Sequence, residues 1–276
     1  SLMMDVLRII ANVVIMGVLV FSACKPVDVP EDPQGLEGFP VTVMTYNIYG
    51  ARPAFGKPPA NLPEIAAVIN RYKPDFVALQ EVDVFTRRSG KDVNQADSLA
   101  KLTGMSYFFA KAIDKDGGSY GDAVLSRHEI IESTAFKMGV NVMLGGEMRS
   151  VAMVKVNINN KPLYFASTHL DHLSDETNRI HQANELKSIV ESVDGNLILG
   201  GDFNATPGSQ TISVIKEYLT LGCKNCSPTY PSNNPARTID YLMYKPLNNF
   251  IIQNYMVIDE PYASDHCPVI SIIRVK

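Results

Sequence analysis

The order of apolar patterns along residues 41–276 predicts an α/β fold of mixed, largely antiparallel sheets covered by helices. Short β-branched runs recur as strands. Some of these follow one another directly, while others alternate with amphipathic helices. No shift of composition divides the stretch, so it reads as one domain, and a 46% share of hydrophobic residues supplies the core such a domain needs.

The elements follow in order. "VTVMTYNI" (41–48) alternates β-branched and aromatic residues, the pattern of a strand. In 61–75, Leu62, Ile65, Ala66, Val68 and Ile69 fall at helical spacing and Pro74 helps end the helix. "FVALQEVD" (76–83) is a buried strand, and 94–104 is a short helix closed by Gly104, the usual left-handed cap. Strand-like runs cover 106–111, 121–126, 150–157 and 162–169. From Asp175 to Val193, Ile180, Ala183, Leu186, Ile189, Val190 and Val193 form one apolar helical stripe with charge opposite. "NLILGG" (196–201) is the next strand, then a helix from Ser209 to Leu221, then strands at 238–244, 250–257 and 267–275.

The first 24 residues differ in kind. Arg8 precedes the apolar stretch Ile9–Phe21, and Ser22-Ala23-Cys24 follows, as in a secretory signal whose apolar part is too short for a comfortable span. "VFSAC" resembles the lipobox of bacterial lipoproteins, with Phe21 where Leu is usual, and implies lipidation of Cys24. The expectation is an extracytoplasmic protein tethered to a membrane surface, on its periplasmic or cell-surface side, by a linker over 25–40 rich in Pro, Gly and acids. Cys223 and Cys226 form a C-x-x-C without a second pair or nearby histidines. That is a poor zinc signal, and in an oxidising compartment a loop disulfide is expected. Cys267 reads as a small buried residue.

Polar residues interrupt six strand ends: Asn47, Glu81, His169 with Asp171, Asp202 with Asn204, Asp240, and Asp265 with His266. A lone D-x-N after an apolar run is ordinarily a turn. Glu81 resists that explanation, because an unpaired carboxylate directly after a buried run costs several kcal/mol. Six such termini point to a site assembled on one rim of the sheets. A nucleophile elbow, a phosphate-binding glycine loop and the H-E-x-x-H signature are all missing. The donors are oxygen-rich, which suits a hard cation. Magnesium takes one or two carboxylates and completes its shell with water and phosphate oxygens, and Glu81, Asn47 and Asp265 fit it. The chemistry suggested is metal-assisted hydrolysis of a phosphate ester.

"TYNIYG", "LQEVD", "YGDAVLSR", "STHLDH", "GGDFNATP", "TIDYLMY" and "ASDHCPV", in that order, resemble the endonuclease/exonuclease/phosphatase superfamily from Val41 almost to the C-terminus. The resemblance implies a four-layer α/β sandwich, two mixed sheets packed face to face with helices outside. It implies Mg2+, or Mn2+ in its place, on Glu81 with Asn47 and Asp265. It gives His169 a bond to a phosphate oxygen, Asp202 the attacking water, Asn204 the fixing of that water or the phosphate, and His266, oriented by Asp240, a phosphate contact. Whether Asp202 or His266 is the general base stays open. Arg88, Arg179, Tyr120 and Asp171 are candidates for substrate binding, Tyr120, Asp122 and Ser126 for support of the site. His172 and His181 read as surface residues.

The net charge of −4 counts mildly against a nucleic-acid partner. The only basic concentration is "RRSGK" (87–91), without interleaved aromatics. A lipid-linked or small phosphodiester is therefore the favoured substrate of an expected monomer. The stretches "TRRSG" and "GGSYGDAVLSR" also look like family members assigned to phosphodiesterase or lipid-remodelling roles. A secreted nuclease is the alternative, and a non-catalytic binding module the minor one.

Overall fold

The computed structural model describes residues 35–55 and 61–276; the expected signal, Cys24 and most of the linker lie outside the described residues. None of the described helices is long and apolar enough to cross a membrane. The described residues form two six-stranded sheets. The first contains β1 (Phe39–Asn47), β2 (Phe76–Val84), β3 (Ser106–Lys115), β4 (Gly118–Ser126), β11 (Phe250–Val257) and β12 (Val269–Val275), in the order β11-β12-β1-β2-β4-β3. The second contains β5 (Glu132–Met138), β6 (Arg149–Ile158), β7 (Lys161–His169), β8 (Asn196–Asp202), β9 (Thr220–Leu221) and β10 (Asp240–Lys245), in the order β5-β6-β7-β8-β10-β9.

Each sheet has one parallel pair, β1–β2 and β7–β8, and each pair is joined by a helical crossover: α1 (Leu62–Tyr72) in the first and α3 (Thr177–Glu191) in the second. The other pairs are antiparallel. Parallel neighbours need such a crossover, so two amphipathic helices are what place the central strands side by side. Asn61 caps α1 by accepting from the Glu64 N–H at 3.0 Å, and Lys73 ends it in the left-handed conformation.

The apolar residues sort into three layers. Val43, Phe76, Ala78, Phe165, Ile198 and Leu242 fill the space between the sheets. Ile65, Ile69 and Leu99 pack α1 and α2 (Gln95–Thr103) on the outer face of the first sheet. Leu186, Val190 and Ile212 pack α3 and α4 (Gln210–Ile215) on that of the second. Helix, sheet, sheet, helix is the four-layer sandwich expected from the sequence. The sheets approach closely at Gly200, where a Cβ would stand 2.8 Å from Ala78 Cβ and 2.9 Å from Thr45 Cβ. Buried Gln80 stitches them together, donating to Thr45 at 3.1 Å and to Ser167 at 3.0 Å.

Three local expectations differ from the structure. β5 carries no strand signal because it is an edge strand exposed along most of its length, with only Met138 buried. The helix expected over 209–221 stops at Ile215, and Thr220–Leu221 instead pairs with β10. Ser126 lies at the far end of β4, where it donates to the His128 carbonyl at 2.7 Å rather than supporting the site. The C-x-x-C cysteines are joined as a disulfide with Cα atoms 5.2 Å apart, and Cys267 is free and buried.

Candidate active site

Strand direction explains why the polar residues meet. β1, β2, β7 and β8 all end on the same side of the sandwich, where β4, β6, β10 and β12 begin. A cleft of about 330 Å³ opens there, lined among others by Glu81, Tyr120, His169, Asp202, Asp265 and His266.

Glu81 reaches the cleft through a bulge. The register of β2 with β4 shifts between Leu79 and Val82, and Glu81 takes a left-handed φ of 55°. A bulge breaks the alternation of side chains, so Gln80 turns into the core while Glu81 turns to the rim. This is the physical reason a carboxylate can follow a fully buried run.

Asn47 is the hub. Its Nδ2 lies 3.1 Å from Glu81 Oε1, 3.0 Å from Asp202 Oδ2 and 3.4 Å from His266 Nε2, and its Oδ1 accepts from the Tyr49 N–H at 3.0 Å. Asp202 also accepts from the Asn204 N–H at 2.9 Å and has His169 Nε2 at 3.4 Å. Asn204, at φ 47°, directs its amide to His169 Nε2 at 3.1 Å and to the Leu170 carbonyl at 3.0 Å. Behind His266, Asp240 holds Nδ1 at 2.9 Å and accepts from the Thr229 hydroxyl at 2.6 Å. Asp265 stands 4.0 Å from His266 Nε2.

The charges follow from burial and neighbours. Burial opposes a charge on His266, but Asp240 and Asp202 outweigh it and raise the imidazole to about 10. Burial, then the charge of Asp240, raises Asp202 to about 7 against the pull of His266. Burial, with Glu81 and Asp240 adding, raises Asp265 to about 6, while His266 opposes the rise. His169 is driven well below its ordinary value by burial, then by Arg149 and His266, so its imidazole is neutral.

Two groups of donors could hold a cation. Asp202, Asp240 and His266 bring ligand atoms within 4.8 Å of one another. In that group Asp240 is engaged by His266 Nδ1 and the Thr229 hydroxyl, and Asp202 by the Asn47 amide and the Asn204 N–H. The second group is Glu81 with Asp265, carboxylates close enough for the charge of one to raise the other. That hard, oxygen-only pair suits magnesium better.

The structure does not bring every expected residue to the cleft. Tyr120 lines it. Arg88 instead forms a bidentate pair with buried Asp83, at 2.7 and 2.8 Å, and fixes the loop after β2. Asp171 is fully buried and accepts from the Glu147 N–H at 2.9 Å. Arg179 is buried with its guanidinium on the Asp171 and Leu173 carbonyls. None of these three candidate substrate-binding residues is among those that line the cleft; each uses hydrogen bonds in holding a loop. His181 is exposed beside Glu185, as expected, but His172, though half-exposed, lines the cleft.

Other lining residues escaped the sequence reading. Arg149 is 2% exposed, donates to Glu147 at 2.8 Å, and its Nε has no partner. It opens the apolar run "RSVAMVKV", so the strand-end criterion applied elsewhere would have found it. Tyr230 packs its ring 4.8 Å from that of His266, and Arg237 lies on the rim; both come from an irregular loop without periodic signal. Arg52 stands 3.5 Å from Glu81 Oε2, over the Tyr49 ring.

Comparison with known proteins gives the same fold. An endonuclease/exonuclease/phosphatase from Beutenbergia cavernae DSM 12333 is 23% identical, with a TM-score of 0.71 over 86% of this chain and 72% of that one. A mannosyl-6-phosphatase from Bacteroides thetaiotaomicron VPI-5482 is 19% identical, with a TM-score of 0.66 over 84% of this chain and 99% of that one. The catalytic domain of human Nocturnin is 19% identical, with a TM-score of 0.64 over 86% and 94% of the two chains. No curated protein sequence matches the chain. The model of the Endonuclease/Exonuclease/phosphatase family matches residues 44–266, from the strand that bears Asn47 to His266 itself, and the chain belongs to that family.

Proposed function

We propose that the protein is a metal-dependent phosphoesterase that hydrolyses a phosphodiester, lipid-linked or small, by in-line attack of water. The observation that carries this is the convergence on Asn47, within 3.0 to 3.4 Å, of Glu81, Asp202 and His266 at the mouth of one cleft. Membership of the Endonuclease/Exonuclease/phosphatase family and similarity to a mannosyl-6-phosphatase support phosphate-ester chemistry without choosing a substrate.

Glu81 and Asp265 would hold the cation, and the Asn47 amide links Glu81 to Asp202. A divalent ion held there would supply positive charge against that growing on the phosphoryl oxygens. His266 is held as a cation by Asp240, so it donates to a phosphate oxygen and cannot take a proton. That leaves Asp202 as the base, its carboxylate raised towards neutrality and fixed by the Asn204 N–H. Neutral His169 and the Asn204 amide position the phosphate, and buried Arg149 lies where its guanidinium can meet the same anion. We further propose a monomer tethered outside the cytoplasm through a lipidated Cys24.

Purified protein should hydrolyse an aryl phosphodiester with Mg2+ or Mn2+ and stop with chelator. Asp202→Asn should lower kcat by about 10²–10⁴-fold, the range for loss of a general base, with KM little changed. Full activity in Glu81→Ala or in chelator would contradict the mechanism. A panel of DNA, RNA, phospholipids and sugar phosphates then identifies the substrate, and preference for nucleic acid would replace the favoured class.

A further inference from the structure

The loop between β5 and β6 reads "GVNVMLGGEM" (139–148). Val142 is 83% exposed and Met143 88%, and Leu144 and Met148 are also exposed. No charged residue lies between Asn141 and Gly146. Its backbone is nevertheless pinned. The Asn141 N–H donates to Asn178 Oδ1 at 2.9 Å, Asn178 donates to the Gly145 carbonyl at 2.9 Å, and Gln182 reaches the Gly139 and Glu147 carbonyls at 3.2 Å. Gly146 has a φ of 92°, and a Cβ there would stand 2.6 Å from Asn178. The polar side chains of α3 thus hold up a preformed loop, an apolar knob whose tip, Val142 and Met143, is almost fully exposed.

The knob stands at the mouth of the cleft, since Glu147 and Arg149 at its base line that cleft. Three more exposed apolar rings, Phe55, Phe85 and Tyr262, lie on other loops that leave the same end of the sheets. Apolar residues gathered around a polar opening mark an interaction surface. We propose that this face docks on a lipid surface, with the 142–144 tip inserted and the cleft facing the headgroups. A convex, uncharged tip suits the boundary between headgroups and acyl chains, where apolar faces bury about 5–10 Å deep. The length of chain before the domain allows it. Phe39 starts β1 at the end opposite the cleft, and the nine-residue strand is about 30 Å long. The residues from Cys24 to Phe39 extend to at most about 50 Å, so a tether at Cys24 still lets the cleft end face the membrane.

The chain contains no tryptophan, so one introduced Trp reports its own position, independently of the N-terminal tether and of any activity. The full chain carrying Met143→Trp is mixed with vesicles of phosphatidylcholine and phosphatidylglycerol bearing brominated acyl chains. Leu247→Trp, exposed at the opposite end after β10, serves as reference. Met143→Trp and Val142→Trp should shift to the blue and lose emission severalfold, while Leu247→Trp keeps its emission. Equal responses at both ends, or none at 143, would overturn the proposal. A blue shift of Met143→Trp that follows protein concentration without vesicles would overturn it in favour of a second copy of the chain.

Discussion

At Asp122, the Ser150 hydroxyl donates to one carboxylate oxygen at 2.6 Å, while the other oxygen is buried without a partner. Burial is the main cause that lifts this carboxyl from 3.8 to about 8; Ser150 and Arg149 oppose the rise. A folded-state value above the unfolded one means that the native state holds the proton longer. Its contribution to stability is complete below about pH 4 and is lost as pH rises towards 8, with a slope of up to about 1.4 kcal/mol per pH unit. Asp122→Asn keeps the shape and removes the titration. Relative to the parent, the variant should gain stability between pH 5 and 9, read as the urea midpoint at each pH; parallel profiles would contradict this. His266 acts in the same direction at higher pH, its share being lost as pH rises through about 10, and the comparison of the two proteins cancels it.

At the level of elements, Gly200 on β8 sets how closely the sheets pack. Gly200→Ala would put a Cβ 2.8 Å from Ala78 and 2.9 Å from Thr45. Overpacking of this kind costs about 1–3 kcal/mol. Combining it with Ala78→Gly should restore part of the loss in denaturant titrations, and strictly additive losses would mean that the two strands do not meet there. Much of this packing was legible beforehand. The apolar run "NLILGG" announced the strand, and the six polar strand ends announced one rim. The bulge that frees Glu81 was not legible, because no residue in "VALQEV" is a turn former and the register of β4 alone exposes the shift. Arg88, Arg179 and Asp171 misled for a related reason. A charged residue near a site looks the same in sequence whether it meets a ligand or a neighbouring carbonyl, and here the loops claim all three.

At the scale of the whole molecule, the cleft straddles the seam between the sheets. Asn47 and Glu81 belong to the first sheet, while His169, Asp202 and Asp240 belong to the second. A cation binding the native carboxylates stabilises the folded chain by mass action, about 2.7 kcal/mol at a hundredfold excess over Kd. Magnesium should therefore raise the Tm of the parent and leave that of Glu81→Ala unchanged in a thermal melt; an equal rise in both would remove Glu81 from the cation site. The strand orders hold one more consequence. Read from β11 through the ends of the chain to β4, the elements run strand, strand, strand, helix, strand, helix, strand, strand; from β5 to β10 they run the same way, and the two sheets share one neighbour pattern. By that shared order, Asn47 corresponds to His169, Glu81 to Asp202, and the head of β12, with His266, to the head of β6, with Arg149. The two sheets thus repeat one order of elements, and the same places on it carry the proposed metal ligands with His266 in one half and the proposed base with His169, Asn204 and Arg149 in the other.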